Sequence, residues 1–360
     1  MNRNRREFLK HVVVGSATMG LTAFGQQQGQ PNPQTKAQTA IPRWRGFNLL
    51  DMFTMRSRGE FPEDDFKWIR DFGFDFVRFP TVYRLWIEDG DDYKIKESML
   101  ERLDRAIDLA GKYGLHVSLN FHRGPGYSVN REFTEPHNLW KDKSALDAFC
   151  FHWQLMAKRY KGISRDKLSF DLINEPPSPG PQMSRADHER VIRAAVAAIR
   201  QISPDRLVVA DGLSWGNDPV TELTDLGIAQ STRAYQPMFV SHAGASWVNY
   251  QDYPEPAWPG HGWDRKRLEE HYAKWADLAR KGVGVHCGEG GTYNKTPHDI
   301  TLRWLRDVLE ILTNHNIGLA LWNFRGSFGI LDSGRTDVAY EDFHGHKLDR
   351  KLLTLLQEFA

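Results

Sequence analysis

The stretch Leu168-Ser169-Phe170-Asp171-Leu172-Ile173-Asn174-Glu175-Pro176 decides how this 360-residue chain is read. A short, nearly apolar run of this kind fits a strand buried on both faces. It delivers an amide and a carboxylate at its C-terminal end, and a proline pair, Pro176-Pro177, stops it. The run Val283-Gly284-Val285-His286-Cys287-Gly288-Glu289 ends in the same way, 114 residues later. In a parallel barrel, side chains at that end of a strand form the rim where sites are built, not the closed bottom.

Working outward, short apolar runs alternate with amphipathic helices. The strand candidates are Trp44–Asn48, Phe74–Phe79, Leu115–Asn120, Leu168–Ile173, Leu207–Ala210, Pro237–Ser241, Val283–Cys287 and Gly318–Trp322. Apolar faces at helical spacing lie between most of them: Leu100-Leu103-Ile107-Ala110, Phe149-Trp153-Met156-Tyr160, Val191-Ala194-Ala195-Ala198 and Leu302-Leu305-Leu309-Leu312. Gly73, Gly114 and Gly282 sit where a glycine closes a helix before the next strand. A last helix spans Leu348–Phe359. Eight such units predict an α/β fold, a (β/α)8 TIM barrel, against the competing doubly wound open sheet. The long irregular segments 121–143, 173–183 and 242–263 all follow strands and decorate the rim.

Composition is that of an ordinary globular protein, with 40% apolar and 26% charged residues, which excludes a disordered or fibrous chain. The 12 tryptophans, 11 tyrosines and 20 phenylalanines suit a heavy core or a cleft for flat apolar faces. Arg5-Arg6-Glu7-Phe8-Leu9-Lys10 precedes an apolar stretch, Val12 to Phe24, too short for an ordinary spanning helix. It resembles a twin-arginine export signal over residues 1–30, followed by a flexible leader over 31–41 and one catalytic domain over 42–360. The implied location is periplasmic or extracellular, with no stable membrane association once the signal is removed. Without residues 1–30 the chain keeps 43 basic and 45 acidic residues, a formal charge of −2, so nothing steers it toward nucleic acid. Cys150 falls in a helical run and Cys287 in a strand, which fits two free thiols better than a bridge.

Two strand-end glutamates are the pair that glycoside hydrolysis requires. Glu175 is the candidate acid/base: it must be protonated to serve a leaving oxygen and ionised later to activate water, which demands a raised pKa. Glu289 is the candidate nucleophile, with Arg78, in Val77-Arg78-Phe79-Pro80, to orient it. Carboxyls about 5–5.5 Å apart mean retention and about 6.5–9.5 Å inversion. The bland alternatives are a turn at Asn174-Glu175-Pro176, a solvated acid at Glu289 and a structural ion pair at Arg78; their joint placement at three strand ends argues against them.

Asn174 and His122 are expected to donate to sugar hydroxyls, and His242 similarly. Trp322, closing the last strand, is expected to lie under a pyranose ring. Trp86, Trp140, Trp215, Trp247, Trp258 and Trp263 lie in or near rim loops, either as outer sugar platforms or as loop packing. His116, His122, His137, His242 and His286 lack the short ligand spacings of a metal site. Gly124-Pro125-Gly126 and Gly288-Glu289-Gly290-Gly291 lack the pattern of a phosphate or dinucleotide loop. No metal or cofactor is expected.

From Arg45 to Phe359 the chain resembles glycoside hydrolase family 5, the cellulase-like β-glycosidases. The matching pieces are Arg45-Gly46-Phe47-Asn48, Val77-Arg78-Phe79-Pro80, Asn120-Phe121-His122, Leu172-Ile173-Asn174-Glu175-Pro176, Val240-Ser241-His242, Cys287-Gly288-Glu289-Gly290 and Leu321-Trp322, leading into Phe328-Gly329-Ile330-Leu331-Asp332-Ser333. The resemblance implies Glu175 as acid/base, Glu289 as nucleophile, substrate-side roles for Arg78, His122 and Asn174, and products that keep the β configuration. It implies an endo-β-1,4-glucanase acting as a monomer on β-linked oligo- or polysaccharides. An exo-β-glucosidase, a β-1,3-glucanase or a β-mannanase shares the mechanism, and a catalytically dead carbohydrate-binding barrel is the rival from another class. One departure stands out. Where the family commonly carries His-x-Tyr, this chain has Arg233-Ala234-Tyr235; Tyr235 can still reach the nucleophile, while Arg233 suggests a reactive subsite for a substituted or acidic sugar, or a partner for the surroundings of Glu289.

Overall fold

The computed structural model describes residues 40–129 and 133–359; the expected export signal and nearly all of the expected leader lie outside the described residues. Among the described residues, eight parallel strands close into a cylinder. They are β1 (Gly46–Asn48), β2 (Phe76–Val82), β3 (His116–Gly124), β4 (Leu168–Asp171), β5 (Leu207–Asp211), β6 (Ala229–Ala234), β7 (Val285–Gly290) and β8 (Gly318–Leu321). Each pairs with its sequence neighbours, and β8 pairs with β1 to complete the ring. The open sheet is thereby excluded.

The longer helices among the described residues are α1 (Glu63–Asp71), α2 (Glu97–Lys112), α3 (Lys143–Arg159), α4 (Arg185–Arg200), α5 (Arg265–Arg280), α6 (His298–Asn314) and α7 (Arg350–Glu358). α1, α2 and α5 end as the glycines predicted. Gly73, Gly114 and Gly282 take φ of 89°, 69° and 86°, and the next N–H returns to the third-last helical carbonyl (Phe74 to Ile69, Leu115 to Ala110, Val283 to Leu278). Asn316 performs the same task after α6 with φ of 56°.

One expected strand is corrected. Met238–Ser241 is a single helical turn, and the sixth strand is Ala229–Ala234. Its outward residues are polar because they have polar partners: Gln230 bonds both the N–H and the carbonyl of Val220, and Thr232 donates to the Gly216 carbonyl. No apolar signature survives in such a strand.

Two apolar clusters result. A large one fills the space between sheet and helices. A small one, Trp44, Phe76, Leu207, Val209, Ala229 and Ala320, plugs the lower half of the cylinder. His116 and His286 join this plug; His116 stacks on Trp44 at 3.7 Å, and burial holds both rings neutral, at a pKa of about 3. Above the plug, the inward positions are polar, and there the site is built.

Gly46 and Gly318 hold the strands together where the ring closes. A Cβ on Gly46 would lie 1.7 Å from the Phe76 carbonyl oxygen, and one on Gly318 1.8 Å from that of Trp44. Backbone must move to admit either, so Gly318→Ala is expected to cost about 1–3 kcal/mol in a denaturant melt. Gly111→Ala, in α2 with nothing within 4 Å of the new methyl, is expected to gain up to about 1 kcal/mol in the same measurement.

Candidate active site

The upper layer of the cylinder is organised by two buried guanidinium groups. Arg78, the inward residue of β2, is 1% exposed. Its Nε donates to Asp171 Oδ2 at 2.7 Å and its Nη2 to Asn174 Oδ1 at 2.8 Å. Its Nη1 serves Glu289 Oε1 at 2.7 Å and Asn48 Oδ1 at 3.0 Å. Arg233, the inward residue of β6, is equally buried. Its Nε donates to Glu175 Oε1 at 2.9 Å, its Nη2 to Asn174 Oδ1 at 2.9 Å, and both Nη groups to the two oxygens of Asp211. The same Nη2 lies 3.5 Å from Glu289 Oε1, so Arg233 touches both glutamates.

Local backbone chemistry brings those glutamates inward. On β7, His286 points into the plug while Cys287 lies on the helix side. Regular alternation would send Glu289 out with Cys287. The pairing with β6 instead slips between Cys287 and Glu289: Cys287 faces Thr232 and Glu289 faces the next residue, Arg233. The extra residue, Gly288, is a bulge that reverses the parity and turns Glu289 inward. Any Cβ there would meet Ser231 Oγ at 2.7 Å and Arg233 Nη1 at 3.2 Å. β4 ends at Asp171, and the chain bends so that Asn174 N–H returns to Phe121 and Glu175 takes φ of 50°, unusual for a residue with a side chain. The freed Glu175 N–H is satisfied by Asp211 Oδ2 at 2.8 Å, and its carbonyl by the Tyr127 hydroxyl at 2.6 Å.

The electrostatics follow from the count: two guanidinium groups meet four carboxyl groups. Burial, and then the negative charge of Glu289, push the Glu175 carboxyl up to about 8 against the opposing pull of Arg233. Burial and the neighbouring Asp211 likewise raise Asp171. Burial weakens the hold of Arg78 on its proton, but Asp171 and Glu289 outweigh it and keep the guanidinium charged. The Tyr235 hydroxyl donates to Glu289 Oε2 at 3.1 Å. Burial and Glu289 hold that phenol well above its ordinary range, so it remains a donor.

Beside the two glutamates, the buried nitrogens His122 Nδ1 and Asn174 Nδ2 have no protein partner. Asn174 Oδ1 is committed to both arginines, which leaves its amide nitrogen for a ligand. His122 packs edge-on to Phe53 at 4.7 Å and beside Trp322 at 5.6 Å; burial, then Arg123, keep its ring neutral. Trp322 is half-buried, braced by Phe53 at 5.3 Å. His242 stands one layer further out, against the ring of Tyr235 at 4.9 Å.

The residues singled out from sequence do not all converge. For Arg233 the second of its two expected roles holds, a partner for the surroundings of Glu289, and the first is corrected: each of its N–H groups meets a protein acceptor, Ser231 Oγ and the Thr232 carbonyl among them, so none is left for a sugar carboxylate. His137 is an exposed loop residue. Trp86, Trp140 and Trp258 are core, whereas Trp215 and Trp247 are 50% and 55% exposed. Asp171, Asp211 and Tyr127 were not singled out, although Asp171 and Asp211 each occupy the last inward position of a strand.

Comparison with known proteins agrees with this geometry. The profile of the cellulases, glycosyl hydrolase family 5, matches residues 34–327. The chain is 26% identical to Cellodextrinase A of Ruminococcus flavefaciens, over 71% of this chain and 76% of that protein. It is also 26% identical to Endoglucanase C of Acetivibrio thermocellus, over 78% and 88%. A glycoside hydrolase of known crystal structure superposes with a TM-score of 0.85 at 42% identity, covering 88% of this chain and 99% of that one. With the profile spanning most of a cylinder whose rim carries two inward glutamates, the chain belongs to glycosyl hydrolase family 5.

Proposed function

We propose that this glycosidase is an endo-acting β-1,4-glucanase that retains anomeric configuration, with Glu175 as acid/base and Glu289 as nucleophile. The observation that carries the assignment is that one guanidinium, Arg233, touches both glutamates while their other surroundings differ. Glu289 receives hydrogen bonds from Arg78 and Tyr235, which aim a carboxylate. Glu175 is held protonated near neutrality and is the more open, its side chain keeping 16% of its exposure.

In the first half-reaction, Glu289 attacks the anomeric carbon as the glycosidic bond to the leaving oxygen breaks, and Glu175 gives that oxygen its proton. In the second, Glu175 takes a proton from water, whose oxygen replaces Glu289 on the sugar. Two carboxyls sharing one planar guanidinium fit the closer spacing of a retaining pair. Asn174 Nδ2 and His122 Nδ1 supply hydrogen bonds to sugar hydroxyls, and Trp322 the face under the ring. Beside the acid, past Tyr127, opens a cleft of about 450 Å³ lined by Phe133, Trp140, Pro177 and Gln182, room for sugars on the leaving-group side. The curated relatives named a cellodextrinase and an endoglucanase support a β-1,4-glucan as substrate.

Glu175→Gln and Glu289→Gln are each expected to lower kcat on a soluble β-1,4-glucan by about 10²–10⁴-fold or more. Wild-type-like turnover in either variant excludes the assignment. Because Glu175 acts as the protonated form, kcat/KM is expected to fall as pH rises through about 8. A profile flat to pH 10 contradicts this. Export through the twin-arginine route is part of the same proposal, supported by Arg5-Arg6 ahead of the apolar stretch. Replacing both arginines by lysine is expected to leave the enzyme in the cytoplasmic fraction of a bacterial host; unimpaired export of that variant rejects the route.

A further inference from the structure

We propose that Asp211 is the positioning residue of the acid: it fixes Glu175 through the main chain and through Arg233, and the Asp211–Arg233 pair governs how readily Glu175 parts with its proton. The proposal rests on the reading of Glu175 as acid/base.

The geometry is specific. Asp211 is the last inward residue of β5, with a side chain fully removed from solvent. Oδ2 accepts the Glu175 N–H at 2.8 Å, and the two carboxylate oxygens grip both Nη groups of Arg233. Arg233 Nε, the remaining donor of that guanidinium, reaches Glu175 Oε1. One carboxylate thus anchors the backbone of the acid and, through an arginine, its carboxyl.

The chain around Asp211 is shaped for this. The turn Ser214-Trp215-Gly216 takes three successive left-handed conformations, with φ of 55°, 58° and 77°. Such strain persists only where surrounding contacts over-determine it. Here Trp215 N–H donates to the Pro176 carbonyl at 3.0 Å, and Ser178 donates to Ser214 at 3.0 Å. Gly216 lies against the stem of Arg233, where a Cβ would meet Cγ at 2.6 Å. The segment following Asp211 is therefore stitched to the segment following Glu175, with Arg233 beneath.

The electrostatic purpose follows. A lone guanidinium at 2.9 Å would favour the ionised form of Glu175 and spoil it as an acid. Asp211 occupies the other edge of that guanidinium and offsets its charge. The other ionisable groups around Glu175 are Glu289 on β7, Tyr235 after β6 and Tyr127 after β3, with Arg78 and Asp171 behind Asn174. Glu289 disfavours the charged form, the tyrosines stay neutral, and Arg78 is spent on Asp171 and Glu289. The adjustable term is Arg233, and Asp211 sets it.

The test compares Asp211→Asn with wild type on cellotetraose and on a dinitrophenyl β-cellobioside, whose phenolate leaves without a proton, with Glu175→Gln as reference. With Arg233 no longer offset, the alkaline limb of kcat/KM on cellotetraose is expected to move down by about one pH unit or more. The loss of kcat/KM on cellotetraose at pH 7, from the lowered limb and the loosened carboxyl together, is expected to be about ten- to a hundredfold, short of full loss of the acid, with a much smaller loss on the activated substrate. Arg233→Gln, which removes the positive charge, is expected to move the limb upward, and it carries the test alone if Asp211→Asn does not melt cooperatively. Equal losses on both substrates with an unmoved limb, or a downward shift in Arg233→Gln, overturn the inference. If Glu175→Gln spares the activated substrate and Asp211→Asn does not, the inference falls while the acid assignment stands. If Glu175→Gln loses kcat/KM, which reports the first half-reaction alone, equally on both, the acid assignment falls and the inference with it.

Discussion

Everything at the rim depends on Arg78. A guanidinium that is 1% exposed has lost its water, a penalty of several kcal/mol unless well-placed acceptors replace it. Asp171, Glu289, Asn48 and Asn174 are those acceptors, drawn from three different strands or their ends. The dependence runs both ways, since each of these groups is itself buried and uses Arg78 as a principal partner. With Arg233 included, two positive charges are set among four carboxyls. Glu175 and Asp171 are the groups pushed upward, and Glu175 is the one that opens toward a ligand. The proposed acid is therefore defined by the charge count of a whole layer more than by any single neighbour.

That layer can be so polar because the cylinder divides the work. Its lower half is a dry plug of aromatic and aliphatic side chains with two neutral imidazoles, and the larger core lies outside, between sheet and helices. Stability rests mainly on those clusters, where apolar burial contributes about 25 cal/mol per Å². The rim is free to hold groups chosen for chemistry: a glutamate in left-handed conformation, a turn of three such residues, and two polar donors left without partners.

The eightfold repeat was legible because seven of the strands keep an apolar run and three helices close with the expected glycines. β6 was not, because hydrogen bonds from Gln230 and Thr232 stand in for the apolar face that a sequence pattern detects. Glu175, Glu289 and Arg78 were found from their strand-end positions. Why Glu289 faces inward was not legible, since strict alternation from His286 sends it outward and only the bulge at Gly288 corrects this. Asp171 was hidden inside a run read as nearly apolar, and Asp211 just beyond the predicted end of β5. Counting inward parity from Leu207 and Val209 would have found Asp211. That Arg233 serves the surroundings of Glu289 was one of its two readings, but its grip on Asp211 was out of reach, because it depends on a neighbouring strand and on a turn conformation that the residues Ser214-Trp215 do not advertise.

In the proposed mechanism, the same charge count explains how Glu175 serves as acid and then as base. While Glu289 carries its charge, the layer has two more negative groups than positive ones if every carboxyl ionises, and repulsion helps keep the proton on Glu175. Once Glu289 is esterified to the sugar that charge is gone, and the proton of Glu175 has left with the first product. The excess has fallen to one, so the repulsion that retained the proton is weaker at the moment when an ionised Glu175 must wait for water. Arg78 and Arg233 need not move in this cycle. Their rigidity lets the loss of one negative charge on Glu289 be felt at Glu175 instead of being absorbed by rearrangement, which is the physical case for anchoring the acid so firmly to a neighbouring strand.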